Sequence, residues 1–370
     1  MKTISFFENT EKRDFIDCRI TSFRDFFRYY KTNLDSYDIF VLGQAMNSSV
    51  YRFRLKKIPF DFMLFSGSSF EFEQNILGAL GVNYEIKKFG DNYKKVVKSF
   101  IDKNIPLIFE FDIRKISDIV SPEKKIDIHC VSDSIICGYD FSNEILAISL
   151  KSKNDVALKY VTSKKFEQCI EGNTFPLDLK RRYYIIESSS IPSTYINMNK
   201  KDILRKKLSD YCIDLMKGRS YKIDNKYENN EIITGSQVFD MIIKNNTVIR
   251  QFLCNGYENS EVNKRLFTLY YLSLRDMLTP GSDYCYRKEF SKVLSSMADK
   301  LGLNELRTSA DEFLVISELW RNLTRKLFAC SKVKNTTEAV GFLEIIDSML
   351  SEINEVEQAE FEKIFNILNS

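Results

Sequence analysis

Histidine is almost absent: His129 is the only one in 370 residues. A zinc site needs clustered His or Cys ligands. The eight cysteines, at 18, 130, 137, 169, 212, 254, 285 and 330, are scattered and form no C-x-x-C pair. No metal is therefore expected, and the thiols read as reduced and mostly buried, as in a cytoplasmic protein. Six prolines and thirteen glycines leave no Gly-rich linker. Neither G-x-G-x-x-G nor G-x-x-x-x-G-K-[ST] occurs, so no phosphate cradle is expected. The opening MKTISFFENTEKRDF lacks the apolar stretch of a signal peptide, and no run reaches transmembrane length. A formal net charge of +3 is too small for a concentrated basic face, which argues against nucleic acid as a partner. Lysine pairs such as Lys200-Lys201 and Lys206-Lys207 alternate with acids and apolar residues and read as solvated helix faces.

What the chain does have is aromatic bulk. Twenty-nine Phe and nineteen Tyr supply large surfaces for burial, and the length suits two domains. Cys18–Tyr30 carries Ile20, Phe23, Phe26, Phe27 and Tyr30 at helical spacing behind Asp17 as N-cap. Strand-like runs follow at Tyr37–Leu42, Val50–Arg54 and Phe60–Phe65. Helices are expected over Phe70–Leu80 and Asp91–Lys103, with strands at Val82–Lys87 and Pro106–Asp112. Val131–Cys137 and Ile145–Leu150 flank a turn and predict a hairpin. Leu158–Val161 and Arg182–Glu187 add strands around a short helix at Lys164–Cys169. Four serines and a proline in Ser188–Ser193 mark a domain boundary. Beyond it, Lys200–Met216, Gly235–Leu253, Ser260–Leu278, Arg287–Leu301, Ser309–Leu327, Thr337–Ile353 and Glu357–Leu368 all repeat at 3.6 residues. Trp320, among Phe313, Ile316, Leu319 and Leu323, reads as core or as an inter-domain contact. The expectation is an α+β domain over residues 1–190 and an all-helical bundle over 199–370.

A thiol in the first turn of a helix is a recurrent nucleophile, because backbone N–H groups and the helix dipole favour the thiolate. Cys18 has that placement, and the later segments HCVSDSIICGYD (His129–Asp140) and EILAISL (Glu144–Leu150) supply two successive strands. This order resembles papain-like cysteine proteins, and within them the butirosin biosynthesis acyltransferase (protein H) family with its helical extension. The resemblance is carried by DCRITSFRDFFRYYKTNLDSYDIFVLGQA, FEQNILGALGVNY, KSFIDKNIPLIFEFD and the turn Gly138–Asp140. In the extension it is carried by YCYRKEFSKVL and ADEFLVISELWRNLTRKL, so it covers nearly the whole chain.

The resemblance implies a papain-like first domain and amide-bond formation in specialised-metabolite assembly. The donor would be an acyl or aminoacyl thioester on an acyl carrier protein, and the acceptor an amine. No cofactor of its own is implied; phosphopantetheine would arrive only on the carrier. Cys18 would be the nucleophile. The family histidine should stand six residues before Gly138, where this chain has Ser132, and the supporting acid where it has Ser149. Those two serines are then candidates for contacting substrate. His129 is three residues upstream of the expected place, facing the other side of an extended strand unless a bulge at Ser132–Ser134 restores it. Asp133 could take the amine proton if burial raised its pKa. The alternatives are an inactive homologue that binds a pathway partner or another copy of itself, and a cysteine peptidase. The last needs an intact Cys/His pair more than thioester aminolysis does, because an amide leaving group must be protonated.

Overall fold

The structure, a computed structural model, describes residues 1–9, 16–56, 58–120, 131–150, 157–171, 181–222, 228–254 and 285–370. Predicted helix Ser260–Leu278 and His129 lie outside them. In chain order the first elements are β1 (Lys2–Thr3), α1 (Cys18–Tyr29), α2 (Ser36–Leu42), β2 (Met46–Arg54), β3 (Phe62–Ser68), α3 (Phe72–Ala79), β4 (Tyr84–Lys88), α4 (Tyr93–Ile101) and β5 (Leu107–Asp112). Next come α5 (Ser117–Val120), β6 (Val131–Asp140), β7 (Ile145–Ser149), β8 (Lys159–Thr162), α6 (Ser163–Ile170) and β9 (Arg182–Ile186). The remainder is α7 (Ser193–Lys217), β10 (Ser220–Lys222), β11 (Glu228–Thr234), α8 (Gln237–Cys254), α9 (Arg287–Leu301), α10 (Leu306–Phe328) and α11 (Thr336–Asn369). The protein is mixed α/β with antiparallel sheets and a largely helical C-terminal region. Among the described residues, no helix is long and apolar enough to cross a membrane.

Two compact units emerge: Met1–Leu42 with Glu73–Ile203, and Gly43–Phe72 with Leu204–Ser370. This differs from the division expected near residue 190, because the hairpin of β2 and β3 joins β11 through β2 and not the sheet of β4 to β9. The second unit is therefore not all-helical: it holds the sheet β10-β11-β2-β3. Thr337–Ile353 and Glu357–Leu368 prove to be a single helix, α11. Tyr37–Leu42, expected as a strand, is α2. Its apolar run conceals a reciprocal cap: Asp35 Oδ1 accepts from the N–H groups of Tyr37 and Asp38, and Asp38 Oδ2 accepts from Asp35 N–H, each at 3.0 Å.

The first unit is a seven-stranded antiparallel sheet of order β4-β9-β5-β6-β7-β8, with β1 also paired to β6. Every residue of β5 is buried, as the run Leu-Ile-Phe-Glu-Phe-Asp requires of a central strand. Asp17 Oδ1 accepts from Ile20 N–H at 2.7 Å and caps α1. Phe23, Phe26 and Phe27 are fully buried. At about 1.5–3 kcal/mol each, they outweigh a cap of about 1 kcal/mol. Burial holds the helix down, and the cap decides where it begins. At Gly138 a Cβ would stand 2.7 Å from the Lys2 carbonyl, so glycine is what lets β1 lie against β6.

In the second unit, Gly218 and Gly235 both have positive φ and pack backbone to backbone: a Cβ on Gly235 would lie 2.7 Å from Gly218 Cα. The core centres on Arg287, fully buried. Its Nε and Nη2 donate to the two oxygens of Glu357 at 2.7 and 2.9 Å. Nη2 also donates to Ser48 Oγ at 2.7 Å, and Nη1 to the Cys285 and Asn47 carbonyls at 2.9 and 3.2 Å. Trp320 Nε1 donates to Glu357 at 2.6 Å while its ring lies 4.6 Å from the guanidinium. The network ties β2 to the helices that follow it by more than 200 residues.

Glu357→Ala should cost about 3–5 kcal/mol, because it strands a buried guanidinium. The lone tryptophan reports this directly in urea unfolding. Replacing both partners, Arg287→Met with Glu357→Leu, should recover much of the loss, and an unchanged midpoint in Glu357→Ala would contradict the assignment.

Candidate active site

Cys18 is the first residue of α1, half-buried, and its Sγ lies 2.6 Å from Ser132 Oγ on β6, with either group able to supply the proton. Helix start and strand thus meet at a thiol and a hydroxyl. The helix dipole at Cys18 favours a negative sulfur, and the Asp17 carboxylate beside it opposes that effect. Ser132 is itself buried.

The pairing of β6 with β5 decides which neighbours can join them. From Val131↔Asp112 to Ile136↔Leu107 the register is unbroken, and the only irregularity between β6 and β7 falls between Ile136 and Gly138. The bulge considered at Ser132–Ser134 is therefore not there. Alternation puts Asp133 on the face opposite Ser132. Ser149 stands opposite Ile135, on the same face as Asp133, so the structure does not bring it to Ser132. Its buried Oγ has no hydrogen-bond partner among the described residues. His129 cannot be placed in the site, since it lies outside those residues.

Asp133 belongs to a second cluster. It pairs across the ladder with Glu110, which accepts from Arg182 Nε at 2.7 Å and from Tyr184 Oη at 2.9 Å. Glu73 of α3 hydrogen-bonds Asp133 and lies 3.6 Å from Arg19, the residue after Cys18. Three carboxylates thus face two guanidiniums. Burial pushes the Asp133 carboxyl well above the usual range, the charge and hydrogen bond of Glu73 and the charge of Glu110 add to this, and Arg19 opposes it. Burial also raises Glu110, against the pull of Arg182. The shift favours the neutral form of Asp133, which lessens the excess negative charge of the cluster. Burial does raise this carboxyl as a base would require, but the side chain is only 2% exposed and faces away from Ser132. It lies in the charged cluster on the other face of the sheet from the Cys18–Ser132 contact.

Sequence reasoning missed Glu73, Glu110, Arg19 and Arg182. Glu110 carried a signal: a lone acid inside Leu107–Phe111 is either exposed or paired, and a fully apolar strand around it makes pairing the better expectation. Among the described residues no three His, Cys, Asp or Glu side chains come together as a metal set. Compared with known proteins, the chain matches no family model and no curated protein.

In the unfolded chain Asp133 should titrate near the ordinary value of about 3.9. Because the folded value is higher, the folded state binds more protons between the two, and stability falls as pH rises above that lower value. Asp133→Asn keeps a donor for Glu73 and cannot ionise. Its stability relative to wild type should therefore increase from pH 4 to pH 8 in urea titrations. Parallel wild-type and mutant curves would show that Asp133 ionises as freely in the folded protein as in water.

Proposed function

We propose that this protein is a cysteine-dependent transferase that moves an acyl or aminoacyl group from a carrier-protein thioester to an amine, forming an amide bond in natural-product assembly. The observation that carries this reading is the 2.6 Å contact between Cys18 Sγ, at a helix start, and Ser132 Oγ on the facing strand. A papain-like first unit is part of the proposal, supported by a capped helix opening on cysteine and lying against an antiparallel sheet. So is a reducing, cytoplasmic setting, which suits the free thiols of Cys18, Cys137, Cys169, Cys212, Cys254, Cys285 and Cys330.

The chemistry closes without a histidine. Cys18 sulfur attacks the thioester carbonyl, a new C–S bond forms, and the carrier thiol leaves with the proton that Cys18 gives up. The acceptor nitrogen then attacks the acyl group on Cys18. As the C–N bond forms and the C–S bond breaks, the departing Cys18 sulfur takes the proton released by nitrogen. A serine hydroxyl is no base near neutral pH, but Ser132 can donate to the sulfur while it is negative. A thiolate leaves far more readily than an amide nitrogen, which disfavours the peptidase reading.

The same hydroxyl in the base position favours a second reading, an inactive homologue that binds a pathway partner. Incubation with acyl-loaded carrier protein separates the two. The transferase should show an acyl mass on the peptide containing Cys18, discharged by added amine, and none in Cys18→Ala. Product formed equally by Cys18→Ala, or no acylation of wild type by a panel of carriers, would remove nucleophilic catalysis from this site.

A further inference from the structure

Cys18 and Ser132 come from segments more than a hundred residues apart, and their contact needs something to set the rotation of α1 against β6. Ser22 sits one helical turn after Cys18, on the same face, and is 2% exposed. Its Oγ donates to the Cys18 carbonyl at 2.8 Å and is shared with the Asp133 carbonyl at 3.2 Å. The first of these bonds is a common local one for a helical serine. The second crosses from helix to sheet, and it ends on the residue immediately after Ser132. One hydroxyl thereby ties the backbone of Cys18 to that of the residue next to Ser132.

We propose that Ser22 is a positioning residue for Cys18: its hydroxyl registers the first turn of α1 on β6 and so holds the sulfur against Ser132. The inference rests on reading Cys18 as the reactive group, and not on the acyl transfer itself. Turning α1 about its axis would move Cys18 and Ser22 together, so breaking the Ser22 bond to the strand releases the rotation that the Ser132 contact resists. Apolar packing of Phe23, Phe26 and Phe27 tolerates small rotations that a hydrogen bond does not, because dispersion and burial are weakly directional.

The test is a double-mutant cycle on the full chain. Cys18 is alkylated with iodoacetamide at pH 7, and its modification is followed by peptide mass spectrometry, which separates it from the exposed Cys254. If Ser132 donates to the sulfur, Ser132→Ala should slow alkylation of otherwise wild-type protein by roughly tenfold. In Ser22→Ala the same substitution should have little further effect. In Ser22→Thr, which keeps the hydroxyl, the tenfold ratio should return. A general loss of stability would slow or speed both members of each pair and leave the ratio intact. If Ser22→Ala does not fold, Ser22→Val against Ser22→Thr makes the same comparison. A ratio unchanged by loss of the Ser22 hydroxyl, or a ratio near one in wild type, overturns the assignment. No carrier thioester is present, so this outcome is independent of whether acyl transfer occurs.

Discussion

The pairing of β6 with β5 governs which face of the sheet each residue from Val131 to Ile136 serves. Because side chains alternate along a strand, a slip of one residue would exchange the two faces. Ser132 would leave Cys18, and Asp133 would be carried out of the Glu73–Glu110 cluster. Both polar centres of the first unit therefore depend on one backbone register. The neighbours that hold it are apolar: Leu107, Ile108, Phe109 and Phe111 on one strand, Ile135 and Ile136 on the other, all buried. Each gains about 1.5–3 kcal/mol from burial, which exceeds the net worth of about 1 kcal/mol for an ordinary hydrogen bond. Apolar burial keeps the register, and the polar groups exploit it.

The two units handle buried charge differently. In the second, Arg287, Glu357 and Trp320 satisfy one another with hydrogen bonds and a cation–π contact, so the guanidinium stays charged without water. In the first, two guanidiniums face three carboxylates, and burial together with the neighbouring carboxylates pushes the Asp133 carboxyl toward its neutral form. The proton-dependent cluster includes Arg19, which follows Cys18 directly, so the charge balance under the sheet adjoins the start of the thiol-bearing helix.

Much of the element order was legible in the sequence, for local reasons. Asp17 followed by Ile20, Phe23, Phe26 and Phe27 announces a capped amphipathic helix, and Cys18 at its first position follows from that. Val131–Cys137 and Ile145–Leu150 are legible as a hairpin from the turn-rich segment between them, and the strands are Val131–Asp140 and Ile145–Ser149. Tyr37–Leu42 misleads because its aromatic and branched residues suit a strand, while the decisive signal is the reciprocal cap formed by Asp35 and Asp38. Partner choice was less visible. Nothing local tells β2 to pair with β11, nearly two hundred residues away, and that pairing draws Gly43–Phe72 into the second unit. At the candidate site, the Cys18–Ser132 meeting was legible only through a family pattern. The Arg19–Glu73–Asp133 cluster was not legible at all, since its members come from three separate elements.

Cys18 and Ser132 face each other across helix and strand, and the proposed chemistry depends on that contact. Replacing Ser132 with cysteine tests this most directly, since a disulfide forms only between side chains already in this relation. Under mild oxidation Ser132→Cys should lose the mass of two hydrogen atoms, and the cross-linked peptide pair containing positions 18 and 132 should appear on digestion. A folded Ser132→Cys protein in which both thiols stay free, or pair elsewhere, would contradict the geometry on which the proposed chemistry depends.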